Sequence, residues 1–108
     1  YAGGGITAVV EWSASTSTTG YVNWEMGVRR IQDSSEDIDT AQAYDWNVAS
    51  TTVAGTSGQT VKTTITFTNG ADMDSWTAGE SAIIRVRASS TSSLGGDAEL
   101  WSILLRET

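Results

Sequence analysis

The sequence predicts an all-β chain, an antiparallel β-sandwich with jelly-roll-like winding. Three observations carry that expectation. Apolar residues recur at every second position in six separate stretches, the period of a strand with one face buried. Segments rich in Gly, Ser and Thr divide those stretches. No amphipathic helix interrupts them. At 108 residues the chain makes one domain, residues 1–108, with room for a single core.

After the flexible Tyr1-Ala-Gly-Gly-Gly5, the first strand runs from Ile6 to Ala14. Ile6, Ala8, Val10 and Trp12 alternate with Thr7, Val9, Glu11 and Ser13. Ser15 to Gly20 forms a polar turn, and Tyr21 to Ile31 is the second strand, with Val22, Trp24, Met26 and Val28 on one face. A hairpin between the two would set Trp12 beside Trp24 in one sheet. An acidic loop from Gln32 to Gln42 follows, with room for one helical turn, and then a third strand over Ala43–Val53. There Tyr44, Trp46 and Val48 alternate with Asp45 and Asn47.

The fourth strand, Val61–Phe67, and the fifth, Ser81–Ala88, bracket a compact crossover. Asn69-Gly70 and Ala78-Gly79 mark its turns, and Met73 and Trp76 anchor it. Ala98 to Glu107 is the last strand, and it is apolar on both faces. Strict alternation puts Glu99, Trp101, Ile103 and Leu105 in one row and Ala98, Leu100, Ser102 and Leu104 in the other. Either this is a central strand covered on both sides, or one face meets a neighbouring copy. Trp101, Ile103 and Leu105 are therefore the candidate interface, because an uncovered apolar row invites association.

Composition removes several functions. Without cysteine there is neither a disulfide nor a thiolate metal site, and without histidine the commonest acid–base group and zinc ligand is missing. A net charge of -7 disfavours nucleic acid and anionic membranes as partners. Asp33, Glu36, Asp37 and Asp39 crowd the acidic loop, but their spacing is not that of a calcium-binding EF-hand loop. Asp72 and Asp74 suit the capping of a turn. Glu11 and Glu25 could face each other across the first hairpin, yet no cleft or second feature makes them a glycosidase pair. The expectation is a non-enzyme without cofactor or metal. Five tryptophans are the one enrichment. Trp12, Trp24 and Trp46 keep register with aliphatic neighbours and read as core, whereas Trp76, in a connector, is the candidate ligand contact.

Several pieces, in order along nearly the whole chain, resemble a family of tailed-phage virion proteins of the tail-fibre and appendage kind. They are Tyr1-Ala-Gly-Gly with Trp12 a strand later, Gly20-Tyr-Val-Asn-Trp24, Asp37-Ile-Asp39 before Ala41-Gln42, and Ile65-Thr-Phe-Thr-Asn-Gly-Ala-Asp-Met-Asp-Ser75. Ala78-Gly-Glu80, Ile84-Arg-Val-Arg87, Gly96-Asp-Ala-Glu-Leu100 and Leu105-Arg-Glu107 complete the set. The resemblance implies a structural β-domain of a phage particle, a homotrimer, with a further strand-like segment ahead of the Tyr-Ala-Gly-Gly turn. It brings no catalytic residues.

The function expected is that of a virion-surface structural protein: fibre, tail appendage or capsid decoration. It would act by assembly with copies of itself and with other virion proteins, outside the cell. Two alternatives stay open, a carbohydrate-binding module or receptor-binding tip that contacts a cell-surface glycan, and an extracellular filament subunit.

Overall fold

A computed structural model of the chain describes residues 1–32, 34–35, 37, 39 and 43–108. Six strands form: β1 (Ile6–Ala14), β2 (Tyr21–Ile31), β3 (Trp46–Thr52), β4 (Thr60–Phe67), β5 (Ser81–Ala88) and β6 (Ala98–Glu107). They build two antiparallel three-stranded sheets, one ordered β4-β1-β6 and the other β3-β2-β5. β1 pairs with β6 and β2 with β5, so the first strand meets the last and the second meets the fifth. β3 and β4 close this nest at the flank where the two sheets come together.

β1 and β2 are not a hairpin. They are the central strands of different sheets, and residues 15–20 carry the chain from one layer to the other. The reason lies in the alternation itself. An apolar row on each of two successive strands can be buried side by side in one sheet or face to face across two, and both solutions have the same period. Bonds beyond the turn favour the second. Ser15 N donates to Asp97 O (3.0 Å), Gly58 N to Ala14 O (3.0 Å) and Val53 N to Gly20 O (2.9 Å), tying the crossing to the β5–β6 and β3–β4 connections.

The core fills the space between the sheets. Ile6, Ala8, Val10 and Trp12 come from β1, Val22, Trp24, Met26 and Val28 from β2, and Ile65 and Phe67 from β4, all of them buried. Met73 plugs the core from the β4–β5 crossover, as its place in that segment suggested. Each large side chain so buried contributes roughly 1.5–3 kcal/mol. Trp12 and Trp24 meet across the layers with ring centroids 6.0 Å apart and planes tilted by 57°. Trp12 Nε1 donates to Thr63 Oγ1 (3.0 Å), which donates to Thr51 Oγ1 (2.9 Å). That relay crosses from β4 to β3. Asn47 Nδ2 adds a second tie, donating to Thr66 O at 2.7 Å.

The flank of β3 and β4 is therefore sealed by polar side-chain bonds, and among the described residues no such bond joins β5 to β6 at the opposite flank. There β5 and β6 are the outer strands of their sheets and leave a groove between them. Ile84 and Leu105 line it at one end, and Ala88, Leu94 and Ala98 at the other.

β3 starts at Trp46 rather than Ala43, because Tyr44 leaves the ladder to lie over β2. Trp46 is not in the core. It stands opposite Gly27, whose neighbours Met26 and Val28 face inward, so Trp46 is on the outer face of its sheet. A strand buried on one face allows either row to be aromatic, and alternation does not say which row turns in. The acidic loop reading includes Asp33, Glu36, Ala41 and Gln42, which lie outside the described residues.

The two central indoles differ in one respect that can be measured. Trp12 N–H has its hydroxyl acceptor, whereas the buried Trp24 N–H has no partner among the described residues. Replacing either by Phe removes similar volume, but only Trp12→Phe breaks a bond, taking from Thr63 Oγ1 its buried donor while its own bond to Thr51 stays. Urea denaturation should show Trp12→Phe losing about 1–2 kcal/mol more than Trp24→Phe.

Candidate functional site

β6 bonds to β1 along one side only, and its other side is an open strand edge. Its pairing with β1 shifts in the middle: Glu11 faces Ser102, and Trp12 faces Leu100. Trp101 is the extra residue, a β-bulge. Its indole lies on the outer face, where Nε1 donates to Ser13 Oγ at 2.7 Å. Beyond the bulge the alternation is displaced by one. Leu104 stands opposite Val9 on the outer face, while Ile103 and Leu105 stand opposite Val10 and Ala8 on the inner one.

The row of Trp101, Ile103 and Leu105 is thereby split. The outer row is Glu99, Trp101, Ser102, Leu104 and Arg106; the inner one is Ala98, Leu100, Ile103 and Leu105. Strict alternation misplaces every residue after the bulge relative to Trp101, Leu104 among them, and no local residue type announces the bulge. Both faces stay open to solvent over much of the strand: Trp101 is 61% exposed, Leu104 57%, Leu100 43% and Leu105 41%. Only Ile103 packs against the core among the three residues of the expected interface.

Trp76 sits at the mouth of the β5–β6 groove. Tyr1 stacks on it with centroids 4.1 Å apart and planes 14° from parallel. Its Nε1 donates to Glu80 O at 2.9 Å, and Asn69 Nδ2 donates to both Trp76 O (2.9 Å) and Gly3 O (3.0 Å). The chain start is thus fastened to the crossover. A concavity of about 280 Å³ lies beneath, lined by Tyr1, Ile6, Trp76, Ile84, Leu105 and Arg106. Asp72 caps the crossover turn by accepting from Thr68 N at 2.7 Å.

A third cluster covers the outer face of the β3-β2-β5 sheet. Arg87 lays its guanidinium over the Trp46 ring, 3.8 Å from its centroid, and its Nε donates to Glu25 Oε2 at 2.6 Å. Arg85 stands 5.4 Å from the Tyr44 ring. Gly27 makes room for this layer, since a β-carbon there would come within 2.8 Å of Tyr44 Cβ. Beside Arg87 a concavity of about 390 Å³ is lined by Glu25, Ser89 and Ser90.

These placements decide what chemistry the face can hold. Glu11 and Glu25 do not confront each other. They project from the outer faces of different sheets, and each has its own cation, Lys62 at 3.7 Å and Arg87 at 2.6 Å. Among the described residues no three carboxylates gather to hold a metal ion. What the chain presents instead is an apolar strand edge and an aromatic–arginine layer. No family model, curated protein or solved structure matches the chain.

One titration reports whether the crossover is clamped in solution. Arg30 grips Glu80 through Nε and Nη2 at 2.6 and 2.7 Å, and Thr77 N donates to the same carboxylate at 3.1 Å. The hydrogen bond from Arg30 first, then that from Thr77, draws the Glu80 carboxyl down from 4.5 to about 2. A lowered folded value stabilises the protein above about 4.5, and that contribution is lost as pH falls towards 2. Carboxyl ¹³C shifts should give Glu80 a midpoint near 2 in the native chain. Arg30→Met should return it towards the ordinary carboxylate range.

Proposed function

We propose that the chain is a structural β-domain of a phage particle surface, wound as a jelly roll and acting by assembly with copies of itself. The observation that carries this reading is the open edge of β6. Trp101 and Leu104 on one face, and Leu100 and Leu105 on the other, leave apolar surface in water along a strand with unpaired backbone groups. That combination favours association through the edge. The nested pairing of first strand with last and second with fifth supports the jelly-roll description. The resemblance of the chain to tail-fibre and appendage proteins supplies the setting, a fibre, tail appendage or capsid decoration outside the cell.

Assembly needs no catalytic group. It needs a complementary surface and a domain that stays soluble until it meets its partner. The net charge of -7 serves the second need by keeping crowded copies apart except where apolar contacts outweigh repulsion. Copy number three comes from the resemblance alone.

Glycan binding is the second reading. The Trp46–Arg87–Glu25 layer beside its serine-lined concavity favours it, since aromatic faces with hydroxyl and carboxylate groups nearby suit sugar rings. Trp76 suits it less, because Tyr1 occupies one face of that ring.

Light scattering separates the readings. The assembly domain should have a mass of at least twice 11.4 kDa, falling to one copy in Trp101→Asp or Leu104→Asp while the circular dichroism is retained. A native monomer whose tryptophan fluorescence answers to a glycan would favour the binding module instead.

A further inference from the structure

We propose that two copies of this chain join through their open flanks, β6 of each pairing antiparallel with β5 of the other about a two-fold axis parallel to the strands. This rests on the assembly reading and names the partner surface.

Each copy brings two free strand edges to one flank, because β5 and β6 are outer strands of opposite sheets. The two run in opposite directions. The short crossing at residues 15–20 reverses β2 relative to β1, and β6 and β5 are antiparallel to β1 and β2 in turn. A two-fold axis parallel to the strands preserves height and direction and exchanges the layers. It sets β6 beside β5 of the second copy in one layer and β5 beside β6 in the other. Both junctions are then antiparallel. The sheet β4-β1-β6 continues into β5-β2-β3 of the second copy, and the other sheet does the same.

Faces agree along the whole ladder. Residues opposed across paired strands share a face. On β5, Ala82, Ile84, Val86 and Ala88 turn inward, while Ile83, Arg85 and Arg87 turn outward. One register opposes Glu99 to Arg87, Leu100 to Val86, Ile103 to Ile84 and Leu104 to Ile83 of the second copy, with Arg85 facing the bulged pair Trp101 and Ser102. Inner residues meet inner ones and outer meet outer on both sides of the bulge. Leu100 and Leu105, inward-facing yet exposed in the single chain, gain neighbours in a continuous interior.

Charge selects the partner strand. Glu99 is exposed and belongs to no ion pair among the described residues. Arg87 gives Glu25 its Nε, which leaves its terminal nitrogens for a second carboxylate. Arg85, also exposed and without a carboxylate among the described residues, meets the exposed Trp101 ring, a favourable cation–aromatic contact. Height selects the register. Residues that meet across this axis are those level within one copy, and Ala88 and Ala98 line one concavity of the groove. Sliding two residues one way sets Glu99 against Ser89 and Arg106 against Ile83; sliding the other way sets Leu105 against Glu80. The alternative two-fold, perpendicular to the sheets, would pair β5 with its own copy and gather Arg85 and Arg87 of both chains on one ladder, where like charges oppose association.

The pairing is closed. Each copy uses both free edges on one partner, so association stops at two. Such a contact falls near the small end of specific interfaces, about 1,200 Å² in total. Association is therefore read over a concentration series.

Sedimentation equilibrium of the native chain should show a monomer–dimer system. Glu99→Arg should raise the dimer dissociation constant on the order of tenfold, by setting an arginine against Arg87 at both junctions. Because the chain has no cysteine, cross-linking reads the register cleanly. Glu99→Cys mixed with Arg87→Cys should give a disulfide-linked dimer under mild oxidation, as should Leu104→Cys mixed with Ile83→Cys. No single variant should link alone.

Glu99→Cys linking to Arg85→Cys in place of Arg87→Cys would overturn the register. A dimer linked by Glu99→Cys alone, or one indifferent to Glu99→Arg and linked by neither mixture, would overturn the pairing of β6 with β5. A trimer would overturn the two-fold arrangement and leave the assembly reading standing. A monomer at every concentration would overturn both.

Discussion

The contact of Trp12 with Trp24 across the sandwich is the constraint on which the rest of the structure depends. It sets β1 and β2 at the centres of opposite sheets, and every other strand takes its place from one of these two. The largest buried side chains gather around them, and the Trp12–Thr63–Thr51 relay seals one flank by joining β4 to β3. No equivalent relay joins β5 to β6 among the described residues. The sandwich is closed like a book along one side and open along the other. Two functional candidates, the β6 edge and the groove mouth at Trp76, lie on the open side, and the third, the Trp46–Arg87 layer, covers the outer face of the β3-β2-β5 sheet.

Much of this was legible in the residues. All six strands were visible from the two-residue period, and four of them have the expected ends, because Gly, Ser and Thr segments stop a strand wherever its apolar row stops. Met73 was legible as the core anchor of a polar crossover. Three features were not. Alternation does not distinguish a hairpin from a crossing between layers, so β1 and β2 could not be assigned to different sheets. It does not tell which face of a strand turns inward, so Trp46, cushioned by Arg87 and Gly27, was read as core. Nor does it register one extra residue. The bulge at Trp101 depends on where β1 pairs, a long-range condition with no local mark, and it moved Ile103 and Leu105 to the other face from Trp101.

That single extra residue decides which side chains share a face on the open edge strand. The bulge puts both charges and two large apolar side chains on one face, and leaves Leu100 and Leu105 on the other. An edge built this way has a use for its exposed leucines, which on a solitary domain would only promote nonspecific association. On the assembly reading, the open edge of β6 and its exposed apolar side chains are the surface that a second copy would cover.

Hydrogen–deuterium exchange along β6 tests this account most directly. The amides of β6 that do not bond to β1 point into solvent in a single chain and into the second copy in the pair. The account predicts that their protection rises with protein concentration, while amides of β1 and β2 stay protected throughout. Rapid exchange of those β6 amides at every concentration would contradict it, because the edge would then be open and β6 would not be the surface through which this protein assembles.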